Sequence, residues 1–165
     1  MIERTLVLVK PDGVMRGLVG EVIKRFEQKG LKIIGLKMVV IDKKFAAKHY
    51  TEDIEKRRGK TVRDNLLNYI TEGPVVAMVI EGIDAIEVVR IMVGGTEPRT
   101  ALPGTIRGDF THHSFKYADN KNMPVKNIIH ASSNTKDAEK EIMLWFSIED
   151  LYSYKRTDDI FHYGE

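Results

Sequence analysis

A histidine and a carboxylate near the C-terminal end of the chain are spaced so that they could form a catalytic pair. His130 ends a short apolar run that predicts a buried strand. The next segment predicts a helix whose inward stripe contains Glu141 beside Ala138 and Ile142. Because a carboxylate on an apolar stripe is costly without a partner, we expect Glu141 to meet the His130 imidazole. That contact would fix the tautomer and leave the other ring nitrogen as a nucleophile or base.

The residues leave a structural alternative open for this pair. A histidine at a strand end is more often structural than catalytic, and Glu141 could instead pair with Ser132 or with a lysine. Three cations elsewhere favour the catalytic interpretation. Lys10 ends the first predicted strand, Arg90 lies on a predicted helix, and Arg107 lies between glycines in a long segment. Because arginine forks match phosphate oxygens, this set beside a nucleophilic histidine indicates phosphoryl transfer.

The elements that must position these residues follow the order β-α-β-α-β-α-loop-β-α. The predicted strands are residues 5–9, 33–41, 75–80 and 125–131. Apolar residues at helical spacing lie between them, which predicts an α+β sandwich with the helices on one face of the sheet. We expect Asp84 to cap the helix that ends at Gly94. The stretch 96–126 is too long for an ordinary connection, which indicates a functional loop or an insertion.

Composition and charge narrow the class of protein. The 165 residues are 42% hydrophobic and 30% charged and include no cysteine, which excludes thiol chemistry and a disulfide scaffold. No apolar run approaches the roughly 20 residues of a membrane span, and no signal-peptide pattern is visible, so we expect a cytoplasmic protein without a membrane partner. The net charge is +2, yet residues 24–63 carry 13 Lys and Arg against 5 Asp and Glu. This segment is either a solvated helix face or a field that steers an anionic ligand.

Five motifs, in this order along the chain, resemble the nucleoside diphosphate kinase family. They are KPDGVMRG at 10–17, GPVVAM at 73–78, PGTIRGDF at 103–110, NIIHAS at 127–132 and AEKEI at 138–142. The resemblance implies a single domain with a ferredoxin-like α+β sandwich, in which helices cover a four-stranded antiparallel sheet. It also implies a ping-pong transfer of the γ-phosphate from a nucleoside triphosphate, mainly ATP, to a nucleoside diphosphate. Mg²⁺ would be held through the nucleotide phosphates, with no direct protein ligand.

The resemblance also assigns roles by motif position. His130 matches the histidine that becomes phosphorylated, and the resemblance implies a pros-phosphohistidine. The residues themselves do not distinguish the two ring nitrogens. Glu141 matches the acid that orients this histidine, Ser132 the serine that supports the acid, and Tyr50 a tyrosine beside the histidine. The implied substrate-binding residues are Lys10, Val62, Arg90, Thr96, Arg107 and Asn127.

The chain departs from the family pattern at three places. Ala131 follows the catalytic histidine where the family usually has glycine, and we expect little loss unless its φ is positive. Val62 stands where the family clamps the base with an aromatic side chain, so the base would receive apolar contact without stacking. Residues 111–124 form a loop insertion that we expect to be a surface or subunit-contact loop, and residues 151–165 form a C-terminal extension. The adjacent His112 and His113 in the insertion are more typical of solvent exposure than of a metal site.

Partners follow from the same resemblance. It implies a homo-oligomer, either a hexamer or a tetramer, and the long loop and tail favour the hexamer. Contacts through phosphates and sugar predict broad base tolerance. The alternative is a non-catalytic nucleotide or nucleic-acid binding module on the same fold. We expect no obligate nucleic-acid partner, because the strands carry no exposed aromatic pair for stacking and a net charge of +2 is weak for a dedicated binder.

Overall fold

The computed structural model describes residues 1–164. The strands are β1 (Ile2–Val9), β2 (Lys32–Val39), β3 (Val75–Ile83) and β4 (Ile129–Ala131). The helices are α1 (Pro11–Met15), α2 (Val19–Gln28), α3 (Lys43–His49), α4 (Glu52–Arg58), α5 (Lys60–Ile70), α6 (Ala85–Val93), α7 (Ile106–Phe110), α8 (Phe115–Asn120), α9 (Thr135–Trp145) and α10 (Asp159–Tyr163). Over the described range, none of the helices has the length and apolar character needed to span a membrane.

The four strands form one antiparallel sheet in the order β2-β3-β1-β4. This arrangement confirms the predicted α+β class and the four-stranded antiparallel sheet. β1 is a central strand, and its residue Leu8 lies opposite His130 of β4. The last strand is shorter than predicted, because the backbone of Ile128 turns into the left-handed region with a φ of +57°.

Helices cover both faces of the sheet, so the prediction that they lie on one face was wrong. Val7 and Val9 of β1 belong to the core formed with α2 and α6. Leu6 and Leu8 belong to a second core formed with α3, α5 and α9. Because successive side chains point to opposite faces of a strand, a strand covered on both sides is apolar throughout. The unbroken apolar runs of β1 and β3 have this cause.

Two boundaries next to helices differ in how well local chemistry predicts them. Gly59 separates α4 from α5 with a φ of +88°, a backbone conformation that glycine adopts without steric cost. Asp84 precedes α6 but makes no side-chain cap, so the capping prediction was wrong. Its carboxylate instead accepts a hydrogen bond from the N-terminal ammonium of Met1 at 2.9 Å. A capping rule based on neighbouring residues does not take into account a chain end 83 positions away.

Candidate active site

His130 on β4 and Glu141 on α9 meet across the edge of the sheet. Nε2 of His130 lies 2.9 Å from Oε2 of Glu141, and the hydroxyl of Ser132 donates to the same oxygen at 2.6 Å. Burial by itself would raise the pKa of Glu141, but His130 and Ser132 outweigh it, and the pKa is lowered. A carboxylate at this position favours the tautomer with hydrogen on Nε2, which leaves the lone pair on Nδ1, the pros nitrogen. Both partners that the sequence left open for Glu141 are therefore present.

Ser132 is held by the sheet. Its hydroxyl accepts from the backbone N–H of Leu6 at 3.3 Å, and its own N–H donates to the Leu6 carbonyl at 3.1 Å. The side chain is fully buried. The Glu141 carboxylate is thus fixed from the β1–β4 ladder, and the imidazole is oriented through that carboxylate.

A second histidine, which the sequence analysis did not assign to the site, packs against the first. His49 ends α3, and its ring centroid lies 4.7 Å from that of His130 in an edge-to-face arrangement. The indole N–H of Trp145 donates to Nδ1 of His49 at 3.2 Å. Burial lowers the pKa of His49 to about 3, so the ring is neutral and cannot replace His130 as an accessible base. The only feature of the sequence that could have placed His49 in the site was its position before Tyr50.

Tyr50 lies beside these rings and is almost fully buried. Its hydroxyl has no hydrogen-bond partner among the described residues. Burial raises the pKa of this phenol, so the hydroxyl stays protonated and available as a donor. A buried donor without an acceptor is costly, which makes a ligand oxygen a fitting partner.

Two buried cations form the opposite side of the site. Nζ of Lys10 donates to Oδ1 of Asn127 at 2.8 Å. The guanidinium of Arg107 donates to the carbonyls of Gly94 at 2.9 Å and Ile129 at 2.7 Å. Burial and the charge of Arg107 lower the pKa of Lys10 to about 7, and burial lowers that of Arg107 to about 10. Within residues 1–164 neither cation pairs with a carboxylate, so this corner favours an anionic ligand.

A strained turn aims Asn127 into the site. The next residue, Ile128, has a φ of +57°, which costs about 1–3 kcal/mol for a β-branched side chain. The turn is held by the Lys10 N–H, which donates to the Ile128 carbonyl at 2.8 Å, and by Asp12, which accepts from the Ile128 N–H at 3.2 Å. A Cβ on Gly13 would lie 2.9 Å from that carbonyl, so the motif requires glycine there.

Asp12 and Tyr69 support this turn, and the sequence analysis did not assign either to the site. The Tyr69 hydroxyl donates to Asp12 at 2.7 Å and accepts from the Asn127 N–H at 3.2 Å. The side-chain amide of Asn127 also donates to the Thr96 carbonyl at 3.0 Å. Asp12 belongs to the 10–17 motif, and that motif could have indicated its role. No feature of the sequence indicated a role for Tyr69.

One cavity of about 530 Å³ collects most of the predicted residues. It is lined by Lys10, Tyr50, Val62, Arg90, Thr96, Arg107, Asn127 and His130. Glu141 and Ser132 do not line it, because they lie behind the His130 ring. The Arg90 side chain makes no hydrogen bond or ion pair within the described part of the chain, so its guanidinium is open to a ligand. Ala131, in place of the expected glycine, lies in β4 without a positive φ, so the substitution brings no backbone strain.

The candidate metal ligands of residues 1–164 belong to the cluster around His130. His49, His130 and Glu141 present atoms within 4.8 Å of one another. Two imidazoles suit a transition metal better than Mg²⁺, which prefers oxygen ligands and water. The described residues therefore fit Mg²⁺ only as an ion that arrives on the phosphates of a ligand.

The whole chain is similar to proteins of known activity. A family model described as nucleoside diphosphate kinase matches residues 3–151. A nucleoside diphosphate kinase of Borreliella burgdorferi is 48% identical over 164 residues, which cover 99% of this chain and 98% of that protein. One from Pyrococcus horikoshii is 52% identical over 160 residues, covering 97% of this chain and 95% of that protein.

Solved structures give the same result. A transition-state mimic of the nucleoside-diphosphate kinase from Borrelia burgdorferi, with bound vanadate and ADP, has a TM-score of 0.96 and 48% identity. It covers 98% of this chain and 97% of that chain. A halophilic nucleoside diphosphate kinase from Halobacterium salinarum, in complex with CDP, has a TM-score of 0.83 and 40% identity, covering 99% of both chains.

Proposed function

The chain belongs to the nucleoside diphosphate kinase family of phosphotransferases. We propose that it transfers the γ-phosphate of a nucleoside triphosphate to a nucleoside diphosphate through a covalent phosphate on Nδ1 of His130. The observation that carries the proposal is that His130 lines the cationic cavity while its Nε2 is tied to Glu141 from behind. Nδ1 is then the ring nitrogen left for a phosphorus atom. ADP with vanadate, and CDP, are the ligands of two related structures, which supports nucleotides as the molecules that fill this cavity.

In the first half-reaction, the Nδ1 lone pair attacks the γ-phosphorus of a nucleoside triphosphate. The bond to the β–γ bridging oxygen breaks, and the nucleoside diphosphate leaves with that oxygen. The ring keeps its hydrogen on Nε2 and becomes cationic, and the Glu141 carboxylate 2.9 Å away stabilises that charge. A terminal oxygen of a second nucleoside diphosphate then attacks the phosphohistidine, and the neutral imidazole returns.

The cations hold the transferring group in line. Lys10, Arg90 and Arg107 face one cavity and offer donors to phosphate oxygens as negative charge redistributes among them. The Tyr50 hydroxyl adds a neutral donor at the same end, and Asn127 and Lys10 contact the sugar. Mg²⁺, if carried in on the nucleotide phosphates, would supply further neutralisation of their negative charge.

Labelling tests the proposal directly. Protein incubated with γ-labelled ATP and Mg²⁺ should acquire a label that is stable in base and labile in acid. Added CDP or GDP should remove the label at comparable rates and yield the triphosphate, because no base-specific contact is invoked. A label on a hydroxyl, or product formed without any labelled protein, would contradict the covalent route.

Glu141→Gln should slow labelling by about 100-fold, with little change in the ATP concentration needed for half-maximal rate. The reason is that an amide can offer its N–H to the ring and hold the wrong tautomer, while the phosphate contacts stay intact. Rapid-quench labelling separates the two quantities. Ser132→Ala is the matched control and should produce a smaller loss, since His130 keeps its carboxylate. A Glu141→Gln variant that loses only ATP affinity would remove Glu141 from this role.

Nucleotide binding should take up a proton on Lys10 above neutral pH. With a pKa of about 7, this lysine is mostly uncharged in the free protein at about pH 8.5, whereas bound phosphates favour its charged form. ADP affinity should therefore fall as pH rises above 7. Calorimetry in two buffers of different ionisation enthalpy measures the uptake. Lys10→Arg, which stays charged, should abolish it, and an unchanged uptake in that variant would assign the proton elsewhere.

We also propose a homo-oligomer, a hexamer in the first instance, in the cytoplasm. Support comes from edge strand β2, whose apolar side chains Leu36 and Met38, with Val40 beyond the strand, are exposed. The C-terminal extension contacts the first half of this edge, where the Tyr152 N–H donates to the Ile34 carbonyl. An uncovered apolar edge favours contact with another copy. Sedimentation equilibrium distinguishes hexamer, tetramer and monomer.

A further inference from the structure

The insertion at 111–124 lies largely at the surface, as expected, and it also forms part of the wall of the candidate catalytic cavity. It contains helix α8, capped by Ser114, whose hydroxyl accepts from the Tyr117 N–H at 3.2 Å. Phe115, Ala118 and Met123 line the cavity together with Val62 of α5. The cavity therefore lies between two helices at the end away from His130.

This wall is anchored to the rest of the fold. Glu97 accepts from the Phe115 N–H at 3.0 Å, and the Arg99 N–H donates to the His113 carbonyl at 3.1 Å. Ala118 is 1% exposed. Hydrogen bonds on both sides of the start of α8 fix its distance from the cavity, so its side chains present a pre-formed surface to a ligand.

Phe115 is the aromatic side chain at this end of the cavity. The other phenyl ring among the described lining residues is Tyr50, which packs against His49 at the catalytic end. The Phe115 ring is half-buried, and the Arg58 guanidinium lies 5.8 Å from its centroid, within cation–π range. Arg58 thus restrains the ring from the α4 side and leaves it part of the lining.

A nucleotide placed with its phosphates at His130, Lys10 and Arg107 must extend toward α5 and α8. A base has two apolar faces, and Val62 on α5 contacts one of them without stacking. We infer that Phe115 is the stacking residue of the base subsite, so that the insertion supplies from α8 the ring that α5 lacks. This inference rests on the proposed function and adds a specificity-determining residue to it.

The test compares a ligand that has a base with one that does not. Phe115→Ala should weaken ADP binding about tenfold or more, the scale of base–aromatic stacking, and leave binding of inorganic tripolyphosphate within about twofold. Phe115→Trp should retain ADP affinity, and Phe115→Leu should lose most of it while keeping apolar volume. Tyr117→Ala removes an exposed ring of the same helix that does not line the cavity, and it should change neither affinity.

The outcomes separate this inference from the proposed function. Equal losses for ADP and tripolyphosphate in Phe115→Ala would make Phe115 a structural support and overturn the inference, as would unchanged ADP affinity. Retention of ADP affinity in Phe115→Leu would overturn stacking in favour of simple apolar contact. A wild-type protein that forms no phosphohistidine would overturn the proposed function itself, whatever the Phe115 variants do. Thermal unfolding of each variant checks that α8 remains folded.

Discussion

Replacing His130 by alanine should abolish phosphoenzyme formation and lower nucleotide exchange by at least about 10⁴-fold, because the proposed nucleophile is removed. His49 is the nearest alternative nucleophile, but its Nδ1 is bonded to Trp145 and its ring is buried. ADP should still bind, since Lys10 and Arg107 remain. Labelling with γ-labelled ATP, together with calorimetry for ADP, measures the two effects on one preparation.

Two further variants test whether the loss of activity in His130→Ala is caused by misfolding. His130→Gln keeps a donor for the Glu141 carboxylate and should be as inactive as the alanine variant. His112→Ala removes an exposed histidine of the insertion and should retain full exchange activity. Persistence of the acid-labile label in both His130 variants would move the nucleophile to another residue.

Replacing Arg107 should damage both stability and catalysis, which distinguishes it from Arg90. In Arg107→Ala the Asn127, Gly94 and Ile129 carbonyls lose their donor, and the free energy of unfolding should fall by about 3 kcal/mol. Arg107→Lys keeps the charge but not the planar fork, so it should lose less stability while exchange still falls by about 100-fold. Denaturant unfolding and steady-state kinetics provide the two measurements.

Arg90 is the matched comparison for this experiment. It faces the same cavity, but its side chain makes no hydrogen bond or ion pair within residues 1–164. Arg90→Ala should therefore slow exchange and leave the unfolding transition within about 0.5 kcal/mol of wild type. If Arg107→Ala were as stable as Arg90→Ala, the network of buried carbonyl contacts would not have the structural role assigned to it.

Much of the architecture and the chemistry follows from local features of the chain. The apolar runs of β1 and β3 and the spacing of Ala138, Glu141 and Ile142 predicted strands and a helix correctly. Lys10, Arg107 and His130 could be named from short motifs, and the cavity brings these residues together although they are far apart in sequence. Motifs of this kind are local, so their residues can be identified from the sequence without knowledge of the fold.

Other features depended on contacts that sequence spacing does not encode. Gly13 is compatible with many turns, but only the packed structure sets its Cα against the Ile128 carbonyl. The mistaken expectation for Asp84 has the same origin, because its partner is the N-terminal ammonium of Met1. His49 and Tyr69 act through burial and through partners on distant elements.

The sequence by itself indicated the kind of chemistry: in a chain without cysteine, a histidine at a strand end with a carboxylate on the next helix is a candidate neutral-pH nucleophile. Tertiary structure alone decided which ring nitrogen is left for phosphate, which faces the helices cover, and where the insertion lies. The physical reason is the range of the interactions. Residue type sets what a group can donate or accept, whereas contacts such as that between Leu6 and Ser132, 126 positions apart, set where it is aimed.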